Sequence, residues 1–260
     1  MFSVTYAQLN MWLTAFLWPF TRILAFIAAA PVTGSTSFPT MAKIGLAAFM
    51  TLIVAPTIGP LPPATVFSAQ GIWILANQFL VGVALGFSMQ VVFGAITGAG
   101  ELMGLGMGIG FATFFDPQSD ATTPALSTFL STIATLAFLS LDGHLQIISA
   151  LVASFQSVPV TANLLAAPGW QMLANWGAAV LLYGLLISLP VVISVLIANL
   201  ALGILNRAAP QIGIFQVGFA LTLLVGMLLI QMMIPNLIPL FAQIFNTSVD
   251  EMGRIAAALR

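Results

Sequence analysis

Proton and ion chemistry in this 260-residue chain rests on six acids, five bases and one histidine, with no cysteine. Arg22 and Glu101 are the two charges set inside apolar surroundings, where an ionised side chain is costly and needs a partner. The sequence therefore predicts that Arg22 is paired with an acid, either Glu101 or one from a neighbouring subunit, as an ion pair that fixes packing. His144 stands beside Asp142 and Gly143. A proton relay needs a chain of titratable groups, and none lies nearby, so His144 reads as a loop residue. Ser88 with His144 would make an intramembrane serine dyad, but no neighbouring residue orients either group. G-x-S-x-G, H-E-x-x-H and G-x-x-x-x-G-K-[ST] are all missing, so catalysis is not expected. Without cysteine and with a single histidine, neither thiolate nor multi-histidine metal sites are available, and no cofactor is expected.

Two glycine patterns carry more information. Gly82, Gly86, Gly94 and Gly98 fall at multiples of four, leaving one helix face nearly bare backbone. Small residues at this spacing let helices approach closely in lipid, within the chain or between subunits. Further on, Gly98, Gly100, Gly104, Gly106, Gly108 and Gly110 crowd a short run. At about 1 kcal/mol each relative to Ala, they predict an irregular or switchable segment. It is flanked by Met103, Met107, Phe111, Phe114 and Phe115, and no charge occurs between Leu102 and Phe115. Such a segment makes a deformable apolar constriction, of the kind that closes a pore by dewetting.

The elements that hold these residues are those of a membrane protein. Apolar residues make up 60% of the chain and charged ones 4%, against about 25% charge in ordinary globular domains. Residues 44–100, 143–206 and 208–249 hold no Asp, Glu, Lys or Arg. A net charge of −1 with five scattered bases leaves no footprint for nucleic acid, and disorder is excluded by the same composition. The first residues lack the basic flank of a cleaved signal peptide, so Met1 is expected to stay.

Breakers at Pro31–Thr40 and Gly59–Pro63 divide the chain into continuous apolar runs. Their continuity argues for helices and against the alternating strands of a barrel. Four pieces, 44–58, 126–141, 145–158 and 191–205, fall below the ~20 residues that a spanning helix needs, which implies sheathing by other apolar subunits. The long run 170–205 has Pro190 near its middle and is expected to kink, tilt or protrude. At the end, Ser248-Val-Asp-Glu251 reads as a capping box, Asp250 is spaced to pair with Arg254, and Val249, Met252, Ile255, Ala256 and Leu259 form one apolar face. This amphipathic segment is expected to dock on the membrane surface or on a partner.

Trp18-Pro-Phe-Thr-Arg-Ile-Leu24, Ala30-Pro-Val-Thr-Gly34, Phe111-Ala-Thr-Phe-Phe-Asp-Pro-Gln118 and Asn206-Arg-Ala-Ala-Pro-Gln-Ile-Gly-Ile-Phe-Gln-Val-Gly-Phe-Ala-Leu-Thr-Leu223 together resemble the FliR family of type III secretion export gates. The resemblance runs over nearly the whole chain. Injectisome members usually carry a lysine after the stretch matching Gly218-Phe219-Ala220. Leu221-Thr222-Leu223 stands there instead, which favours the flagellar branch.

The resemblance implies an all-α integral membrane fold, with tilted and kinked helical hairpins in a helical hetero-oligomeric assembly. It implies a FliP-like part at 1–169 that includes a plug loop at about 104–118, a FliQ-like hairpin at 170–239 and the C-terminal amphipathic segment at 240–260. The partners implied are FliP in about five copies, FliQ in about four, FlhB, membrane lipid and exported flagellar proteins. The setting is the bacterial inner membrane at the flagellar basal body. The pore plug would comprise Gly104, Gly106, Met107, Gly108, Gly110, Phe111, Phe114 and Phe115, with Asp116, Pro117, Gln118, Arg207, Pro210 and Gln211 as family motif residues. The competing reading from another class is a small-solute secondary transporter, which tends to carry internal repeats. Pro117-Gln118 and Pro210-Gln211 are the one hint of such a repeat, and their flanks differ.

Overall fold

The computed structural model describes residues 5–109, 125–208 and 214–260. Its elements are α1 (Tyr6–Ala29), α2 (Thr40–Val54), a 3-10 turn (Ala55–Thr57), α3 (Ala69–Gly106), α4 (Ala125–Ser140), α5 (Gly143–Ser157), α6 (Ala167–Gly177), α7 (Ala179–Ala208) and α8 (Ile214–Ala258). No strand occurs among the described residues. The all-helical membrane class expected from the sequence is the one observed, because a helix satisfies its backbone polar groups within its own segment and needs no water to do so.

Breakers act where their chemistry requires. Ala30 is extended, at φ −71 and ψ 145, as the residue before Pro31 must be to avoid the proline ring, and α1 ends there. Between α4 and α5 the chain turns through Asp142 in the left-handed region at φ 54. Helix α5 begins at Gly143, so His144 lies in a first helical turn and not in a loop.

Several boundaries differ from the sequence reading. Gly98, Gly100, Gly104 and Gly106 are helical, since α3 runs on to Gly106. Glycine's cost is measured against solvated alternatives, and in an apolar setting an unravelled backbone has no water to bond. The run 170–205 breaks at Ala178, between α6 and α7, while Pro190 sits inside α7; residues 191–205 are thus part of a 30-residue helix, not a short piece. Helix α8 likewise passes through Pro235 and Pro239 for 45 residues in all. Ser248 is interior to that helix and caps nothing.

Among the described residues, five helices are long and apolar enough to cross a membrane: Tyr6–Ala29, Thr40–Thr57, Ala69–Gly106, the α6–α7 segment Ala167–Ala208, and Gly218–Ala258. At ~1.5 Å per residue, the 38 residues of α3 extend about 57 Å, well beyond a ~30 Å hydrocarbon core.

The chain forms two compact units. The first comprises residues 1–91, 142–177 and 245–260. In it α1 lies along α3: a Cβ at Gly82 or Gly86 would press into Ala25 and Ala29, at 2.8 and 2.7 Å from their Cβ atoms. These two glycines therefore make an intramolecular groove. The end of α8 packs here also. Ala166 N–H donates to Leu259 O at 3.1 Å, and Leu259 fills the space a side chain at Gly169 would need. The apolar face Met252, Ile255, Ala256 and Leu259 is buried in this unit, so the C-terminal segment docks on its own chain. Trp176 Nε1 and Ser248 Oγ both donate to the carbonyl of Ser88, at 2.8 and 3.2 Å. Arg254 pairs with Glu251 at 2.8 Å, one turn position away from the Asp250 expected.

The second unit comprises residues 92–141 and 178–244. Its buried centre includes Ile96, Met103, Leu130, Phe138, Val191 and Val195, with Phe93 and Phe138 edge to face at 5.7 Å. Helices approach closely at two glycines: a Cβ at Gly100 would stand 2.5 Å from Cα of Ser127, and one at Gly184 would stand 3.3 Å from Ala95 O. Gly94 has only Val180 near it at 3.9 Å, and Gly98 meets nothing within 4 Å. The four-residue stripe is thus two different surfaces, closed at Gly82 and Gly86 and open at Gly98.

Candidate gating segment and the buried arginine

Arg22 is fully buried, yet its partners are not acids. Nε donates to Gln78 Oε1 at 2.8 Å, Nη1 to Ser154 O at 3.0 Å and Ser154 Oγ at 3.2 Å, and Nη2 to Val158 O at 2.8 Å. The guanidinium carbon lies 4.3 Å from the ring centroid of Phe155, within cation–π range. Two of the acceptors are carbonyls at the C-terminal end of α5, where the helix carries partial negative charge; Ser154 O also accepts from Val158 N–H at 2.8 Å, so the guanidinium takes its second lone pair. The rigid fork of Arg reaches both while its Nε reaches across to α3. The arginine joins α1, α3 and α5 at one point.

The expected Arg22–Glu101 pair does not form. Glu101 is exposed, and Arg254–Glu251 is the one salt bridge among the described residues. Lys43 follows the same rule as Arg22: its Nζ donates to the carbonyls of Gly34 and Ser35, both at 3.0 Å. In this chain, poor in acids, the buried Arg22 and the half-buried Lys43 both rest on backbone oxygens at turns and helix ends.

The gating segment begins at the end of α3. Met103 and Met107 are buried at 1% and 0% exposure, Gly104 is buried, and Gly106 and Gly108 are half-buried. The helix stops at Gly106. Its last carbonyls are met by Met107 N–H to Met103 O at 2.9 Å and by Ile109 N–H to Gly104 O at 3.0 Å. Gly108 has φ 81, a conformation that favours glycine, so the chain turns out of the helix there. Met107 sits against α8. Thr222 Oγ1 donates to Met107 O at 3.3 Å and to Phe219 O at 3.0 Å, and the Met107 side chain lies over Gly226, whose Cβ would come within 2.5–2.7 Å of Cγ, Sδ and Cε.

Gly110, Phe111, Phe114, Phe115, Asp116, Pro117, Gln118, Pro210 and Gln211 lie outside the described residues. Arg207 is exposed in the last turn of α7, where a cation is favoured by the helix end.

Residues 13–248 match the family profile of bacterial export proteins, family 1. The chain belongs to this family. Flagellar biosynthetic protein FliR of Pectobacterium carotovorum is 43% identical, over 95% of this chain and 96% of that protein. Flagellar biosynthetic protein FliR of Escherichia coli K12 is 42% identical, over 96% and 97%, and that of Bacillus subtilis 168 is 29% identical, over 94% and 95%. With its five apolar helices, this export protein is a multi-pass protein of the inner membrane at the flagellar base, a component of the flagellar export apparatus.

Sequence reasoning found Arg22 and the glycine–methionine segment of this export protein but missed what holds them. The signal for the first was a polar pair, Asn77-Gln78, in an otherwise apolar run. Both side chains are buried, and Asn77 Nδ2 donates to Asn163 O at 2.9 Å. For the second, the signal was Thr222 and Gly226, spaced four apart on one face of α8.

Proposed function

We propose that this export protein is a core subunit of the flagellar type III protein export gate, forming with FliP and FliQ the channel through which unfolded flagellar subunits leave, and that its Gly104–Phe115 segment closes the pore. The observation that carries the reading is the end of α3: a regular helix stops at Gly106 just before a buried methionine, a positive-φ glycine follows, and the sequence beyond is Phe-rich and uncharged through Phe115. An apolar constriction stops ions because entry strips their hydration and offers nothing in exchange. Assembly with about five FliP and about four FliQ, and association with FlhB, belong to the same reading. So does the division into a FliP-like part at 1–169, a FliQ-like hairpin at 170–239 and a C-terminal segment at 240–260. They are supported by the family membership and by the exposed apolar faces of α7 and α8.

The test is conductance of the assembled complex in a planar bilayer. Deleting Gly110–Phe114, or replacing Phe114 with Ser, raises conductance severalfold without loss of assembly. Wild-type conductance in a fully assembled deletion complex would assign the seal to the partner subunits instead.

A further inference from the structure

Within the second unit, one contact stands directly at the threshold of the gating segment: Met107 against Thr222 and Gly226 of α8. We infer that Thr222 and Gly226 are positioning residues for the gate, forming a seat that pins Met107 so that the segment after Gly108 starts from a fixed point. This rests on the segment's proposed role as the pore plug.

Three features specify the seat. Gly226 supplies a notch with no side chain, and the thioether of Met107 occupies it; any Cβ at 226 would overlap three Met107 side-chain atoms at 2.5–2.7 Å. Met is flexible and would otherwise sample several rotamers, so full enclosure at 0% exposure selects one. Thr222, one turn before Gly226, sets its hydroxyl between Phe219 O at 3.0 Å and the Met107 carbonyl at 3.3 Å, its one proton shared between them. That carbonyl lies beyond the end of α3, where the helix supplies no further N–H. Gly108 then takes the positive φ of 81. Side chain and backbone of residue 107 are thus both held, and Gly108 N–H to Leu105 O at 3.1 Å and Ile109 N–H to Gly104 O at 3.0 Å fix the turn that follows. A helix that frayed back toward Gly104 and Gly106 would lose this fixed origin.

The chain's lack of cysteine permits a reversible test. The Cβ built at Gly226 lies 2.5 Å from Met107 Cγ, so with a C–C bond of about 1.5 Å the two Cβ atoms are no more than about 4 Å apart, within the reach of a disulfide, whose upper limit is about 4.5 Å. In the fully assembled gate in a planar bilayer, a Met107→Cys/Gly226→Cys double variant is expected to be tight when oxidised. On adding reductant it should leak severalfold more, because a cysteine pair neither fills the notch nor grips it. Each single-cysteine variant is the redox control. Gly226→Leu, which evicts Met107, is expected to leak in both redox states, and Thr222→Val to leak less than Gly226→Leu. A seat needed only for folding would change the yield of complex and leave no reductant-dependent conductance. If deletion of Gly110–Phe114 leaks while the double-cysteine variant conducts equally in both states and Gly226→Leu stays tight, the seat is overturned and the plug reading stands. If the deletion itself does not leak, the plug reading fails and the seat's role in gating fails with it.

Discussion

A guanidinium buried without a carboxylate is unusual enough to set the energetics of the first unit. Arg22 makes four hydrogen bonds at 2.8–3.2 Å and lies on Phe155. Hydrogen bonds to charged groups contribute roughly 1.5–3 kcal/mol each, and deleting a donor strands its buried acceptors. Arg22→Ala is therefore expected to destabilise the chain by about 1–3 kcal/mol, the cost of leaving buried neutral acceptors unsatisfied. Arg22→Lys should recover little, since a single ammonium cannot span Gln78 and the α5 carbonyls together. Glu101→Gln, at an exposed position, should fall within about 0.5 kcal/mol of wild type, and the Arg22→Ala/Glu101→Gln double variant should match Arg22→Ala alone. Thermal unfolding in detergent reads all four. A coupling of more than about 1 kcal/mol between positions 22 and 101 would restore the ion pair that the structure does not contain.

At the scale of elements, glycines divide by what faces them. Gly86→Ala brings a Cβ to 2.7 Å from Ala29 Cβ and 2.9 Å from Phe26 O, forcing α1 and α3 apart, at about 1–3 kcal/mol for overpacking. Gly98→Ala meets open space and gains helix propensity of about 0.5–1 kcal/mol. The two substitutions are expected to shift the melting temperature in opposite directions. The stripe was legible from spacing, but its split into a closed and an open half was not, because spacing encodes a face and says nothing about which helix covers it. The C-terminal segment makes the same point. Its apolar face was read residue by residue, and Met252, Ile255, Ala256 and Leu259 are indeed buried. Its host, the loop before α6, is about 90 residues away in sequence, close to the 93 separating Ala166 from Leu259. Leu259→Ala should cost about 2–5 kcal/mol, as deletion of a buried Leu does, and should expose the C-terminus to limited proteolysis.

For the whole molecule, the exposed apolar surface matters most. Leu181, Leu185, Leu196, Leu200 and Ile204 stand out from α7, and the 18-residue apolar window of the α6–α7 segment is only 28% buried within the chain. Lipid and packed subunits both accept such a face, but they differ in tolerance of bulk. Fluid lipid accommodates Trp in place of Leu, whereas a close-packed interface does not. If partner subunits cover α7, Leu196→Trp and Leu200→Trp will lower recovery of the assembled complex while the amount of membrane-inserted chain stays constant. Unchanged recovery would give that face to lipid.

What the sequence alone determined were the properties that depend on composition and local breakers: helices in a membrane, the end of α1, the face of the C-terminal segment and the crowding of glycine before Phe111. These follow from solvation and backbone sterics, which act within a few residues. Only the tertiary structure decided the rest. Helix α3 holds its shape through Gly100, Gly104 and Gly106, α8 passes two prolines, Arg22 finds carbonyls where the sequence suggested Glu101, and Met107 meets Gly226. Each outcome depends on which distant element supplies a surface or an acceptor, and in an apolar medium an unsatisfied polar group or an open notch costs more than a local preference of about 1 kcal/mol.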